Sequence, residues 1–370
     1  MNRLLIFLTV FIGLTACSVR TTINTPELEQ EPKTAKNIIF LIGDGMGLTQ
    51  TTAGFLNNDM QLNLERMPIV GLSKTHSSDQ LITDSAAGAT AFSIGEKTYN
   101  GAIGMNKDTV AKETILERLA ADGFSTGLIA TCNITHATPA SFYAHQPSRN
   151  MYYEIASDMV DAPVTVFVGG GKIHFENRTD EGDGTPDTRN LISEMANDGF
   201  QFVDSFDDLR RSKGRVGYFY SDDHPASILN GRGNMLPNSI NPVIELLQQE
   251  TDTGFFMVVE GSQIDWGGHA NESEYIITEM IDFDKAVGKA LDFAAQDGNT
   301  LVVVTADHET GGYALKGKND NYNEVEGAFS TGGHTGVMVP VYAYGPQSEL
   351  FSGIYNNNDI YFKMLKALGQ

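Results

Sequence analysis

Cysteine and the basic residues are scarce in this sequence, and these scarcities limit the classes of protein and of partner that fit it. Cysteine occurs twice in 370 residues, so a disulfide framework of the kind that holds small secreted proteins together is excluded. Lysine and arginine number 25 against 47 aspartates and glutamates, which gives a formal net charge of −22. This charge argues against nucleic acid or an anionic bilayer surface as the main partner. An anionic substrate would need strong positive charge concentrated at its binding site.

Apolar runs long enough to cross a bilayer are also lacking, including at the start of the chain. After Arg3, residues 4–14 form an apolar stretch that is too short to span a membrane as a stable helix. We interpret residues 1–16 as a lipoprotein-type signal peptide, because Leu14-Thr15-Ala16-Cys17 resembles a bacterial lipoprotein cleavage box. Plain signal cleavage that leaves Cys17 free is the alternative.

This interpretation predicts an exported protein, in the periplasm or cell envelope, whose membrane contact is a lipid anchor on Cys17. Residues 17–35 are rich in Thr, Glu, Gln and Pro, which predicts a flexible tether. Cys132 is then left without a partner in the chain, and the apolar run before it favours a buried, inert thiol. Without a disulfide, the exported chain would depend on its core and on metal ions for stability.

Residues 36–370 are predicted to form a single α/β domain. Continuous apolar runs of strand length occur at 37–42, 127–131, 164–168, 255–259 and 301–305, and segments with helical spacing at 108–123, 240–248 and 273–296 lie between them. Two further strands are predicted at 69–75 and 337–344, and a short helix near the end. The alternation predicts a three-layer α/β/α sandwich around a large, mostly parallel central sheet. Residues 172–235 are less regular and are expected to be peripheral.

A run of small residues follows Ser85 in the stretch Thr83-Asp84-Ser85-Ala86-Ala87-Gly88-Ala89-Thr90-Ala91. Small residues can start a helix without crowding a group that lies against its first turn. Ser85 is therefore predicted at a helix N-terminus, where free N–H groups and the helix dipole favour an anion. Taken alone, the stretch would fit an ordinary helix cap better than a nucleophile.

Several polar residues share one structural position, at or just past the carboxyl end of a predicted strand. They are Asp44, Thr138, Glu260, Asp307 and His308. Ligands of open α/β sheets bind at that edge, so distant parts of the chain would converge there.

Asp265 and His269 are four residues apart, which on a helix points both side chains in one direction. A carboxylate and an imidazole, with a second imidazole from elsewhere, make an open catalytic zinc site. His334 is the candidate for that second imidazole, because the glycines of Gly332-Gly333-His334-Thr335-Gly336 allow a close approach.

Together these segments resemble the bacterial alkaline phosphatases. The resemblance is carried, in chain order, by the stretch around Ser85, Val259-Glu260-Gly261-Ser262-Gln263-Ile264-Asp265, Thr305-Ala306-Asp307-His308 and Gly333-His334-Thr335-Gly336. It extends over about residues 37–346. It implies that small-molecule phosphate monoesters are hydrolysed through a phosphoserine, with a broad substrate range and a role in phosphate scavenging, and that the enzyme is a homodimer.

The resemblance also implies a role for each site residue. Ser85 would be the nucleophile, and Arg149 would clamp two phosphate oxygens with its planar fork. The expected cofactors are two Zn²⁺ and one Mg²⁺. The expected ligands are Asp265, His269 and His334 for one zinc, Asp44, Asp307 and His308 for the other, and Asp44, Thr138 and Glu260 for magnesium. Asp84 lies beside the nucleophile and would tune the site.

The chain departs from the best-known enterobacterial pattern at two positions. His136 stands where that pattern has an aspartate, and Trp266 where it has a lysine. An imidazole favours zinc over magnesium, and a tryptophan brings no charge to hold phosphate. The alternative is that His136 only forms hydrogen bonds near the metal ligands and has no effect on which metal is bound. At the level of function, the alternatives are a phosphodiesterase or nucleotide pyrophosphatase of the same superfamily and a non-catalytic phosphate-binding lipoprotein.

Overall fold

The structure, a computed structural model, describes residues 33–180 and 182–370. The predicted signal segment, Cys17 and nearly all of the predicted tether lie outside the described residues. Residues Lys33–Gln370 form one compact unit. Within the described part of the chain, no helix combines the length and the apolar character needed to cross a membrane.

The strands of the described residues are β1 Asn37–Gly43, β2 Ile69–Lys74, β3 Ser125–Asn133, β4 Val166–Gly170, β5 Gln201–Phe202, β6 Val216–Phe219, β7 Phe255–Gly261, β8 Thr300–Thr305, β9 Glu309–Thr310, β10 Ala314–Lys318, β11 Asn321–Ala328, β12 His334–Thr335, β13 Val339–Tyr344 and β14 Gly353–Asn356. The helices are α1 Leu48–Leu56, α2 Ser85–Ile94, α3 Ile115–Ala121, α4 Ala137–Ala140, α5 Tyr152–Asp161, α6 Leu191–Asn197, α7 Phe206–Arg211, α8 Met235–Glu250, α9 Gln263–Ala270, α10 Ser273–Asp297 and α11 Asp359–Ala367.

Ten of the strands form one sheet, in the order β14-β2-β13-β8-β1-β7-β3-β4-β6-β5. Strand β13 runs antiparallel to both of its neighbours, and the other pairings in this sheet are parallel. The apolar runs that predicted buried strands lie mainly at its centre, and every residue of β1 and β7 is buried. A continuous apolar run fits this position because a central parallel strand is covered on both faces.

Helices cover both faces of the sheet. Along β1 the side chains alternate between two cores, so that Phe40 belongs to one and Leu41 to the other. The first core includes residues of α2, α3, α5 and α11, and the second includes residues of α1, α8 and α10. The prediction of a three-layer α/β/α sandwich around a mostly parallel sheet is confirmed.

The helix predicted over 108–123 is shorter than expected. Helix α3 begins at Ile115, because Thr114 caps it and the Glu117 side chain accepts the Thr114 N–H at 2.8 Å. This reciprocal pair is a capping box, which marks the first turn of a helix. Upstream, Thr109 has a φ of 58°, a left-handed conformation that a helix excludes. At the other end Gly123 has a φ of 88°, as expected for a glycine that ends a helix.

Residues 172–235 contain more regular structure than their sequence indicated. Strands β6 and β5 continue the central sheet beyond β4. The loop after β6 returns toward the carboxyl end of β3, where the Asn133 N–H donates to His224 Nδ1 at 3.0 Å. This segment therefore supplies a side chain close to the predicted site residues.

Candidate active site

Ser85 lies at the start of α2, as predicted. Asp84 is the N-cap residue, and its side chain accepts the Ala87 N–H at 2.9 Å. Asp84 thus satisfies one of the free N–H groups of the first turn, which leaves the Ser85 hydroxyl available for other contacts. Ser85 is buried, and its Oγ lies 3.3 Å from Nε2 of His308.

Small side chains bring α2 against the residues that follow β8. A Cβ built at Gly88 would lie 3.0 Å from the Cβ of Asp307, tighter than most real contacts. Every residue of α2 is buried. A larger residue at Gly88 would push the helix start away from Asp307, so the small residues after Ser85 help to set the position of Ser85 itself.

Asp44, Asp307 and His308 form the first cluster at the sheet edge. Strands β1 and β8 pair in parallel with Ile42 opposite Thr305, so Asp44 and Asp307 each lie two residues beyond the same register position. His308 Nε2 lies 3.5 Å from Asp44 Oδ1 and 3.2 Å from Asp307 Oδ2. All three side chains are fully buried.

Asp265, His269 and His334 form the second cluster. Asp265 and His269 both lie on α9, four residues apart, and His269 Nε2 is 3.3 Å from Asp265 Oδ2. His334 in β12 places its Nε2 3.6 Å from Asp265 Oδ1 and 3.1 Å from His269 Nε2. The structure therefore brings together the three residues that were predicted to share a zinc ion.

The tautomers of these histidines follow from their other contacts. Nδ1 of His269 lies 2.7 Å from the carbonyl oxygen of Gly332, and Nδ1 of His334 lies 2.9 Å from that of Thr83. Carbonyl oxygens only accept, so both Nδ1 atoms carry a proton, and the Nε2 atoms are the ligand atoms of the neutral rings. The hydrogen bond to Asp265 raises the pKa of His269 to about 9, so without a cation its Nε2 is protonated. A divalent cation between the two Nε2 atoms, which lie 3.1 Å apart, would replace that proton.

Thr310 fixes His308 in the same way. Its hydroxyl donates to Asp265 Oδ1, and its oxygen lies 3.2 Å from His308 Nδ1. Because the only proton of the hydroxyl is used, Thr310 accepts from His308 Nδ1–H, and Nε2 of His308 also carries a lone pair. Thr310 was not among the predicted site residues, although its place two residues after His308 could have signalled a supporting role.

Thr138 and Glu260 lie at the ends of neighbouring strands. Glu260 is in β7, opposite Ala130 of β3, and Thr138 is in the short helix α4 that follows β3. Both residues are fully buried, and neither Thr138 Oγ1 nor Glu260 Oε1 has a hydrogen-bond partner of normal geometry. Cys132 is buried and unpaired, as predicted, and its Sγ lies 3.3 Å from Glu260 Oε2.

The carboxylates of the site fit divalent cations. Both oxygens of Asp44 and Oδ2 of Asp307 are buried without a hydrogen-bond partner. Burial, with the charge of neighbouring carboxylates, raises the pKa of Asp44 well above its usual value, and burial raises the pKa of Asp307 and of Glu260 to about 7. Such groups are costly without a compensating charge. The imidazole-containing clusters suit zinc, whereas the oxygen atoms of Asp44, Thr138 and Glu260 suit magnesium.

Arg149 lies between Asp84 and His136. Its Nη1 is 3.2 Å from Asp84 Oδ2, and its Nη2 is 3.3 Å from His136 Nε2. Burial lowers the pKa of Arg149, but the carboxylates of Asp84 and Asp44 outweigh burial and hold this pKa above its ordinary value. The guanidinium is therefore a fixed positive charge beside the residue that precedes Ser85.

His136 and Trp266, the two residues that depart from the enterobacterial pattern, lie in one aromatic group together with His224. The ring of Trp266 is centred 4.8 Å from that of His224 and 6.2 Å from that of His136, both in edge-to-face arrangements. His224 was not among the predicted site residues, and it comes from the segment that was expected to be peripheral. No motif surrounds it that could have identified it.

Known proteins resemble this chain over most of its length. The family model described as "Alkaline phosphatase" matches residues 35–328 and 319–370. The chain is 36% identical to alkaline phosphatase 3 of Bacillus subtilis, with 90% of this chain and 89% of that protein covered. It is 32% identical to the alkaline phosphatase of Escherichia coli, with 91% and 87% covered.

A solved structure of an alkaline phosphatase from the Antarctic bacterium TAB5 has the same fold. It superimposes with a TM-score of 0.87 at 44% identity, over 92% of this chain and 99% of that one. Two variants of the TAB5 enzyme, in which one histidine is replaced by glutamate or by aspartate, have magnesium bound in the M3 site, and each superimposes with a TM-score of 0.85 at 43% identity, over 92% and 99% of the two chains. On these matches the chain belongs to the alkaline phosphatase family of phosphate monoester hydrolases.

Proposed function

We propose that this protein hydrolyses phosphate monoesters in two steps, through a phosphoserine on Ser85, with two zinc ions and one magnesium ion as cofactors. The observation that carries the proposal is the position of Ser85 Oγ, at the start of α2 and 3.3 Å from Nε2 of His308. A serine at this position faces the carboxylate and imidazole groups rather than solvent. Helix start and neighbouring cations would both favour its negatively charged form.

In the first step, Ser85 Oγ attacks phosphorus and the bond from phosphorus to the alcohol oxygen breaks. In the second step, water attacks the phosphoserine, and the serine oxygen leaves with inorganic phosphate as the other product. Arg149 binds two oxygens of the phosphoryl group in both steps, because its fork of N–H donors matches their spacing. Asp84 holds Arg149 in place by the 3.2 Å contact and keeps the start of α2 in register through its cap.

The proposed metal ligands are the three sets that the family resemblance implies. Asp265, His269 and His334 would hold one zinc, and Asp44, Asp307 and His308 the other. Two divalent ions held by these residues would stabilise the negative charge that develops on the oxygens of an in-line displacement. The unpartnered buried oxygens of Asp44 and Asp307 support this assignment.

Magnesium would be held by Asp44, Thr138 and Glu260, and His136 lies next to this third set. The histidine-to-glutamate and histidine-to-aspartate variants of the TAB5 enzyme have magnesium in the M3 site. We infer that His136 of this chain likewise influences metal choice, because an imidazole offers less negative charge than a carboxylate to an oxygen-liganded ion.

Two other functions are weaker. A phosphodiesterase or nucleotide pyrophosphatase would be expected to lack the magnesium set and the arginine, yet Thr138, Glu260 and Arg149 are all present here. A non-catalytic phosphate-binding protein would be expected to have lost Ser85 or a metal ligand. Neither loss has occurred in this chain.

The test is turnover of a chromogenic aryl phosphate by the purified protein, with the matching bis-aryl diester as control. Hydrolysis of the monoester should exceed that of the diester, stop after chelation and return when zinc and magnesium are added back. Equal turnover of the two esters would favour the diesterase alternative. No turnover of either ester after metal addition would favour the non-catalytic alternative.

The cellular location of the protein is a separate proposal. We infer a signal peptide over residues 1–16, a lipid on Cys17, a tether to residue 35 and a catalytic domain over 36–370, which together would place the enzyme in the periplasm or cell envelope. A homodimer, a broad substrate range and phosphate scavenging are proposed by family resemblance. Cell fractionation tests the anchor, since Cys17→Ser should move activity from the membrane to the soluble fraction, and equal solubility would contradict lipidation.

A further inference from the structure

Cys132 lies beside the third metal set, but the mechanism above does not use it. It is in β3 and fully buried, and its Sγ lies 3.3 Å from Glu260 Oε2 and 3.3 Å from the carbonyl oxygen of Asn133. The other oxygen of Glu260, Oε1, is buried without a hydrogen-bond partner. The single proton of a thiol can serve only one of these acceptors at a time, and a thiol is only a weak donor to a buried carboxylate.

His136 completes a group of three possible ligands. Its Nδ1 is buried without a hydrogen-bond partner, while Nε2 faces Arg149. One ligand atom each of Cys132, His136 and Glu260 lies within 4.8 Å of the others. In a tetrahedral zinc site, bonds of about 2.3 Å to sulfur and about 2.0 Å to nitrogen place the ligand atoms roughly 3.5 Å apart. Only small side-chain shifts separate the group from that geometry.

We propose that Cys132, His136 and Glu260 form a binding site for a thiophilic divalent cation, with zinc as its natural occupant, and that this site competes with magnesium for Glu260. The proposal rests on the proposed function in one respect, that Glu260 also belongs to the magnesium set. Binding converts the Cys132 thiol to a thiolate bonded to zinc, and the proton leaves to solvent. One thiolate and one carboxylate neutralise the dication, as a buried site requires.

The ligand types decide which ion is favoured. Thiolate and imidazole are ligands that zinc accepts readily, whereas magnesium takes oxygen ligands. A carboxylate alone would not discriminate between zinc and magnesium. Cys132 therefore gives zinc an advantage at the third site that His136 alone does not provide, and excess zinc should inhibit the enzyme by withdrawing Glu260 from magnesium.

Cobalt substitution tests the thiolate directly. In a Cys17→Ser background Cys132 is the sole cysteine of the chain, since the sequence contains two. Metal-free protein titrated with Co²⁺ should develop a thiolate-to-cobalt charge-transfer band in the near ultraviolet. Cys132→Ala in the same background should lose this band but keep the weaker visible bands of cobalt at the histidine-containing sets.

A second measurement is competition between the ions. Metal analysis gives the zinc concentration that is needed to displace magnesium from each protein. This concentration should be at least about tenfold higher for Cys132→Ala than for the wild type, in line with the loss of one contact at a metal site. Absence of the charge-transfer band from the cobalt-loaded wild type, with its visible bands present, would overturn the proposal. This outcome does not depend on whether the variant folds.

The failure of this inference can be told apart from the failure of the proposed function. If the charge-transfer band is absent but zinc- and magnesium-loaded enzyme hydrolyses monoesters, Cys132 is not a ligand and the proposed function stands. If no metal loading supports turnover, the proposed function fails whatever the cobalt spectrum shows.

Discussion

Replacement of Arg149 by alanine tests the phosphate site most directly. The guanidinium is held by two contacts, 3.2 Å to Asp84 Oδ2 and 3.3 Å to His136 Nε2. These contacts leave N–H donors of the fork free, because a guanidinium has five. We therefore expect phosphate to bind to donors already oriented by Asp84, at the cost of the longer contact to His136.

The expected size of the effect follows from this exchange. A hydrogen bond to a charged group contributes about 1.5–3 kcal/mol. Two bonds to phosphate are gained and the contact to His136 is given up, so the net loss in Arg149→Ala should equal about one such bond. This loss corresponds to a rise of roughly 10- to 150-fold in the inhibition constant of inorganic phosphate.

The assay is competitive inhibition of aryl phosphate hydrolysis by inorganic phosphate, at fixed ionic strength and saturating metal. Arg149→Lys should fall between the wild type and Arg149→Ala, because lysine keeps the charge but loses the fork. Arg211→Ala is the matched control. Arg211 is an exposed arginine paired with Asp208, so its removal changes the net charge equally without touching the site.

An inhibition constant for Arg149→Ala within twofold of the wild-type value would refute the reasoning. The same change in Arg211→Ala would show that net charge, rather than the fork, controls phosphate binding. Metal analysis of each variant must show unchanged metal content, since loss of a metal ion would also weaken phosphate binding.

Three further changes test other parts of the site. Ser85→Ala should reduce turnover at least roughly a thousandfold with unchanged thermal unfolding, and no phosphoenzyme should be trapped at acid pH; wild-type turnover would exclude Ser85 as the nucleophile. The double change His136→Asp with Trp266→Lys should retain magnesium more firmly and strengthen phosphate inhibition about tenfold, the size of one added charged contact; wild-type magnesium content and inhibition would contradict the roles of both residues. Gly45→Ala should lose metal and activity, since Gly45 has a φ of 70° and its added Cβ would lie 2.7 Å from the Cα of Asp265. Gly298→Ala is the control, because Gly298 has a φ of 65° and an added Cβ would meet no atom within 4 Å. It should lower the free energy of unfolding only by the left-handed strain of about 1–2 kcal/mol and keep full activity. Equal loss of activity in Gly45→Ala and Gly298→Ala would exclude the clash with Asp265 as the cause.

Much of the fold could be predicted from the sequence because its signals are local. The apolar run at 37–42 predicts a strand buried on both faces, and β1 is such a strand. The four-residue spacing of Asp265 and His269 predicts that they share a helix face, and α9 confirms it. Where several local signals compete, prediction was less accurate. The apolar spacing from residue 108 suggested a longer helix than the capping box at Thr114 permits.

The convergence of site residues at one sheet edge was also predictable, since the carboxyl ends of parallel strands meet there. The side chains and strands that surround those residues could not be predicted. The direction of β13, opposite to its neighbours, depends on a long connection and not on any pattern within the strand. The support that Thr310 gives to both Asp265 and His308 depends on how α9 packs against β9.

The sequence by itself determined the apolar strands of the central sheet, the helix start at Ser85 and the candidate ligand types, because hydrophobic periodicity, capping and chemistry are carried by adjacent residues. Only the tertiary structure placed His224 against Trp266 and Cys132 against Glu260. Cys132 and Glu260 are separated by 128 residues, and they meet because β3 and β7 are neighbours in the sheet. Strand order depends on packing over the whole domain, which no single segment encodes.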